Sequence, residues 1–187
     1  MIIGLTGSYC SGKDTVADYI SKKRGYKHFS LSDVIRDIMK KAGIDPIREN
    51  LIVFGTKLRE ENGNGILAKK VLEKAKDDGK YCITSIRHSE EVNEFRKRND
   101  FILVNVDAPQ DVRFRRMQKR KRPGDPKTLE KFIELEKKEC QTSGSGQQLR
   151  RTGNMADITF INDSNDITTL EATVDKFLED LENERSI

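Results

Sequence analysis

The stretch Gly7-Ser-Tyr-Cys-Ser-Gly12-Lys13-Asp14-Thr15 decides how the rest of this chain is read. The apolar run Ile2-Ile3-Gly4-Leu5-Thr6 precedes it, and Val16-Ala17-Asp18-Tyr19-Ile20 follows with apolar residues at helical spacing. A buried strand, a glycine loop and a helix in succession form a phosphate cradle. Gly7 and Gly12 let backbone N–H groups turn inward on an anion, through angles that a side chain obstructs. The first helical turn adds its unpaired N–H groups and the positive end of its dipole. Lys13 is the cation expected to reach the β- and γ-phosphates of a bound nucleotide, with Ser8, Cys10 and Ser11 as further loop contacts. The position after the lysine departs from the usual pattern. Ser or Thr ligates magnesium there, whereas here Asp14 occupies it and Thr15 comes one later. Cys10 reads as a small side chain where bulk is unwelcome, in preference to a redox switch.

Composition sets the outer bounds. A chain of 187 residues has room for one sizeable core, so we read a single domain over 1–187 with mobile insertions. Charged and hydrophobic residues each make up 35%, and Trp is absent, which suits an amphipathic helical shell. The longest apolar runs, about five residues, fall far short of the ~20 that a membrane helix needs. The first strand starts at the N-terminus, so no signal peptide is expected. Three cysteines without metal-site spacing suit a reducing, cytoplasmic setting.

In chain order, a first helix is expected over about Gly12 to Lys23, stopping near Gly25, and a second strand around Tyr26–Leu31. A helix then presents Val34, Ile35, Ile38 and Met39 on one face and has Gly43 past its end. Ser30 and Asp33 at its start also fit a capping pair. Asp45-Pro46 opens a further helix, and Gly63-Asn-Gly65 separates it from Ile66–Ala75. Tyr81–Ile86 is the third strand, and Arg87 emerges at its C-terminal end, where parallel sheets bind ligands. A helix from Ser89 and an apolar strand, Phe101–Val106, come next. Arg113-Phe-Arg-Arg-Met-Gln-Lys-Arg-Lys-Arg122 places seven basic residues in ten with no acid, and Arg116 and Arg120 share one helical face. A helix opening at Asp125-Pro126 carries Leu129, Phe132 and Ile133. The stretch 141–146 reads as a hinge, Asp157–Ile161 as the last strand, and Ile167 to about Leu181 as a closing helix whose end frays. Strand and helix alternate throughout, which predicts an α/β fold: a five-stranded parallel sheet sandwiched between helices.

Taken together, Gly7-x4-Gly12-Lys13-x-Thr15, Ser30-x-x-Asp33-x-x-Arg36, Arg87 and Arg116-Met-x-x-Arg120 resemble the signatures of P-loop nucleoside monophosphate kinases. The chain looks most like the archaeal adenylate-kinase-related proteins and their dephospho-coenzyme A kinase-like and deoxynucleotide-kinase-like relatives. Lys57-Leu-Arg59, Glu91-Val-x-Glu-Phe95 and Ala156-Asp157 through Asn162-Asp163-Ser164 are also similar, so the resemblance covers nearly the whole chain. It implies a three-layer α/β/α architecture and transfer of the ATP γ-phosphate, with Mg2+, to a nucleotide-like acceptor. That acceptor would be a nucleoside or deoxynucleoside monophosphate, or dephospho-coenzyme A. By match, Lys13, Arg87 and Arg120 are the catalytic set. Arg36 and Arg87 hold the acceptor phosphate, with Asp33 beside them and Arg59 as a further contact. Arg116 covers the adenine, and Asn162 and Asp163 join the nucleotide site. An acceptor-binding helical region over about 32–78 and a lid over about 113–146 complete the picture.

The third strand of such kinases usually carries an aspartate just before the arginine, whereas Thr84-Ser85-Ile86 stand here. Asp14, Thr15 and Asp33 are therefore the residues expected near the metal, through water. Two other classes compete. A nucleotide-binding module without catalysis is favoured by the missing carboxylate and opposed by the intact arginine set. A nucleic-acid-binding protein would use the basic run, but a net charge of +4 is modest. His28 reads as a packed or edge residue and His88 as a minor acceptor contact.

Overall fold

The computed structural model describes residues 1–184 except 77, 122–123, 141–143 and 165. Arg122, the 141–143 part of the expected hinge and the last residues, 185–187, lie outside the described residues. Five strands form one sheet: β1 (Ile2–Thr6), β2 (Lys27–Ser30), β3 (Tyr81–Thr84), β4 (Phe101–Asp107) and β5 (Ile158–Ile161). Their order is β2-β3-β1-β4-β5 and every pairing is parallel. The expected α/β architecture is thus present.

Alternation along β1 splits the core in two. Ile3 and Leu5 face α1 (Lys13–Arg24) and α9 (Ile167–Glu184), where Val16, Ile20, Val174 and Phe177 close the layer. Ile2 faces the other side, against α2 (Leu31–Lys41), α4 (Ile66–Leu72) and α5 (Ser89–Phe95). Between them Gly4 permits a close approach: a Cβ there would lie 2.6 Å from Phe101 and 2.7 Å from Ile86.

Several boundaries differ from the sequence reading, each for a local reason. The helix expected at Asp45-Pro46 is α3 (Arg48–Asn62), and the one expected at Asp125-Pro126 is α7 (Leu129–Glu139), whose N-cap hydroxyl, Thr128, accepts from the Lys131 amide. Both Asp-Pro pairs belong to the approach to a helix and not to its first turn. Ser30 makes no side-chain cap on α2; its hydroxyl instead bonds Ser32 and Ser85, and Asp33 pairs with Arg36. The third strand ends at Thr84 because Ser85 takes a φ of 64°, a left-handed conformation that costs energy for a residue with a Cβ. That bend turns Arg87 out of the sheet direction. A short helix, α8 (Leu149–Asn154), was not expected; Thr152 ties its first turn back to the Gln148 carbonyl.

A third apolar cluster joins Tyr9 of the glycine loop to Met117 of α6 (Gln110–Arg120) and Phe132 of α7. The basic run is therefore docked on the loop. Part of its charge is also compensated, although the run itself holds no acid. Arg113 pairs with Glu136, Arg115 with Asp111 and Arg120 with Asp125. Those acids lie outside the run itself, in the first turn of α6, in α7 and in the turn before it, so the local pattern concealed them.

Candidate active site

The glycine loop has the geometry its sequence implies. Gly7 has a φ of 140°, and a Cβ on it would lie 2.2 Å from the Val106 carbonyl oxygen; Gly12 has a φ of 104°, and a Cβ on it would lie 2.2 Å from Asn162 Nδ2. Cys10 is also left-handed, at 62°. Only a backbone pressed this tightly around a small volume demands glycine at both positions. The Ser11 hydroxyl is buried without a hydrogen-bond partner. An orphaned polar atom within such a cradle fits a phosphate-bearing ligand.

Lys13 opens α1 and is buried. Its side-chain hydrogen bond to the Ser8 carbonyl is long, at 3.5 Å. Burial lowers its pKa to about 8; Asp14 opposes the shift, and Arg87 and Arg48 add to it. The lysine is thus a cation held away from water beside other cations, an arrangement that favours an anionic guest.

Beyond the ends of β1, β2 and β3 lies a cavity of about 280 Å³. Cys10, Lys13, Asp14, Asp33, Arg36, Arg59, Arg87 and Arg120, all singled out from the sequence, contribute to its wall. Their conditions differ. Arg36 is an exposed rim residue bonded to Ser32 and Asp33. Arg87 is mostly buried and donates to Gln147 at 2.6 Å and to Glu139 at 3.2 Å. Arg120 is shared between Asp125 and Tyr9, whose ring it also covers. Arg59 differs from the others: its guanidinium is buried against Glu91, with bonds of 2.7 and 3.0 Å to one carboxylate oxygen. The other oxygen of Glu91 accepts from the backbone amides of Arg87 and His88. Arg59 therefore supports the backbone that presents Arg87, and its charge is already matched.

The nucleotide residues expected from the C-terminal third cluster behind the loop. Asn162 donates to the Ser11 carbonyl at 2.8 Å, and Arg116 bonds Asn162, Ser164 and the Ser11 carbonyl. Asp163 is exposed beside them and Thr15 is half-buried on α1. Asp14 and Asp33, expected near a metal, both line the cavity, and Thr15 does not. His88 caps α5 and bonds the Gly144 carbonyl, while His28 stands on the edge strand bonded to Thr84. His88 thus has a structural role in place of the expected acceptor contact.

Two charged wall residues were missed. Arg48, in the first turn of α3, stacks on the Tyr9 ring at 3.5 Å from its centroid and bonds Glu139, the last residue of α7. Glu139 is fully buried and binds Arg48 and Arg87 through the same oxygen. A charged residue on an amphipathic helix normally reads as solvated face, so neither carried a signal.

Known proteins resemble this chain in sequence and in fold. A family model described as an AAA domain matches residues 3–144. A UPF0200 protein of Pyrococcus abyssi is 36% identical over 170 residues, 87% of this chain and 88% of its own length. One from Pyrococcus horikoshii is 38% identical over 146 residues, 74% of this chain and 78% of its own. The shikimate kinase of Aquifex aeolicus superposes with a TM-score of 0.60 at 21% identity, covering 99% of this chain and 98% of its own, a likeness of fold. No helix among the described residues is long and apolar enough to cross a membrane.

Proposed function

This chain belongs to the UPF0200 family, with an AAA domain of P-loop kinase fold, and we propose that it is an ATP-dependent phosphotransferase acting on an anionic, nucleotide-like acceptor. The observation that carries the reading is the convergence of a buried Lys13 in a glycine cradle with Arg36, Arg87 and Arg120 around one cavity. Phosphoryl transfer asks mainly for positioned positive charge and exclusion of water, and this wall offers both. Lys13 and the loop amides would hold the donor phosphates, Arg116 and the 162–164 turn the base side, and Arg36 and Arg87 the acceptor anion. Magnesium, bound with the phosphates, would lie near Asp14 and Asp33 and supply charge neutralisation at the transferring group. Such a protein suits the cytoplasm, where ATP is plentiful and its three free cysteines stay reduced. Arg113, Arg115 and Arg120 of the basic run are each paired with an acid of this chain, which weighs against nucleic acid as the partner.

The donor and acceptor sides should separate kinetically. Arg87→Ala removes a charge-assisted contact in a largely buried position, worth about 1.5–3 kcal/mol, and lowers acceptor efficiency by roughly one to two orders of magnitude. Arg36→Ala, at the exposed rim, costs about tenfold or less. Affinity for ATP alone stays near wild type in both. A coupled assay with ATP, magnesium and a panel of nucleoside monophosphates plus dephospho-coenzyme A, set beside ATP titrations, checks this. Arginine variants that weaken ATP binding instead would reverse the assignment. ATP binding without transfer to any acceptor would favour the noncatalytic module, the reading to which Thr84-Ser85 in place of an acid points.

A further inference from the structure

Glu139 lines the cavity but has no part in the phosphoryl transfer as assigned above, and its setting is unusual. A carboxylate at a helix C-terminus faces the negative end of the dipole, so helix preference does not explain it. It is fully buried in the cavity wall, near enough to Lys13 to act on its charge. One oxygen takes both Arg48 and Arg87; the other, Oε2, is buried with no hydrogen-bond partner among the described residues. A buried ionised oxygen without a donor is costly, and such atoms in a functional cavity mark a place where a ligand completes the bonding.

We infer that Glu139 receives a hydroxyl of the acceptor, and that the acceptor is an alcohol carrying a separate anionic group and not a phosphate that is itself phosphorylated. This rests on the phosphotransferase reading above. A receiving phosphate brings negative oxygens toward a buried carboxylate and must also compete with it for Arg48 and Arg87. A receiving hydroxyl is neutral and donates the hydrogen bond that Oε2 lacks. In the transfer, the hydroxyl oxygen forms a bond to the γ-phosphorus of ATP, the bond from that phosphorus to the β,γ-bridging oxygen breaks, ADP leaves with that electron pair, and the hydroxyl proton passes to Glu139. The product is a phosphomonoester. Asp33 is the competing base, but it is exposed and paired with Arg36.

Phosphorus NMR of wild-type reactions tests the inference without any variant. ATP is supplied with AMP, CMP and dAMP as phosphate acceptors, and with dephospho-coenzyme A and shikimate as hydroxyl acceptors. Monoester product from a hydroxyl acceptor is expected, together with a fall in kcat of about 10²-fold or more in Glu139→Gln at little changed KM for ATP. Basal ATP hydrolysis, in which water replaces the acceptor, should fall with it. A phosphoanhydride product would overturn the inference and leave the phosphotransferase reading standing. So would near-wild-type kcat in a folded Glu139→Gln, or loss of transfer in Asp33→Asn alone. No product from any acceptor, with ATP bound, would remove both readings.

Discussion

Replacing Lys13 by methionine abolishes phosphoryl transfer and at the same time raises the melting temperature of the nucleotide-free protein. The first effect follows from the loss of the only buried cation within the phosphate loop itself. The second follows from what that cation costs when no anion is bound. A lysine whose pKa falls from 10.5 to about 8, chiefly through burial, is held by the fold in a form that the fold disfavours. At about 1.4 kcal/mol per pH unit this amounts to about 3–4 kcal/mol, or roughly 10 °C for a chain of this size. The sign can be checked against pH. Between about 8 and 10.5 the unfolded chain holds a proton on this lysine that the folded chain releases, so stability from this group rises with pH across that window. The penalty is full below about pH 8 and gone above about 10.5, so the advantage of Lys13→Met should be largest below pH 8 and vanish in strong base. Nucleotide should erase it, because bound phosphates make the charge welcome and stabilise only the wild type. Thermal melts of both proteins at several pH values, with and without ATP, check each element. A variant less stable than wild type at neutral pH would mean that Lys13 is a structural cation.

That opposition between local stability and ligand binding explains which parts of the site were legible in the sequence. Gly7, Gly12 and Lys13 obey constraints internal to a few residues, and their spacing between a strand and a helix fixes what they do. The apolar positions of α1, α2 and α9 were legible for the same reason, since helical period alone assigns Val16, Ile20, Val174 and Phe177 to a buried face. Arg48 and Glu139 lie 91 residues apart, and their meaning arises only when α3 and α7 meet across the cavity. The same applies to the basic run: Asp125 and Glu136, which neutralise Arg120 and Arg113, lie beyond its end and return to it only through the turn into α7. The bend at Ser85 was hidden because a serine seldom adopts a left-handed angle, and nothing in Thr84-Ser85-Ile86 announces one.

The buried pairing of Arg59 with Glu91 argues for a supporting role in place of the acceptor contact that the resemblance implied, and its removal should have the largest effect on folding. Arg59→Ala is expected to destabilise the protein by about 3–5 kcal/mol, because it leaves the carboxylate of Glu91 buried without its cation. The loss reaches the site indirectly. Glu91 holds the amides of Arg87 and His88, so a carboxylate forced toward water releases the backbone that carries Arg87 into the cavity. An acceptor contact would behave differently, with a raised acceptor KM and an unchanged melting temperature. The decisive variant is the double replacement Arg59→Met with Glu91→Gln. Both amides donate to one oxygen of Glu91, so the glutamine carbonyl oxygen keeps their acceptor and leaves no buried charge, and the double variant should recover most of the stability lost in Arg59→Ala. Chemical denaturation of wild type, Arg59→Ala and the double variant, with acceptor kinetics measured below the unfolding transition, separates the two roles. Full stability in Arg59→Ala, combined with a loss confined to acceptor use, would return Arg59 to the acceptor side; a large loss rescued by removing the charge of Glu91 assigns it to the support of Arg87.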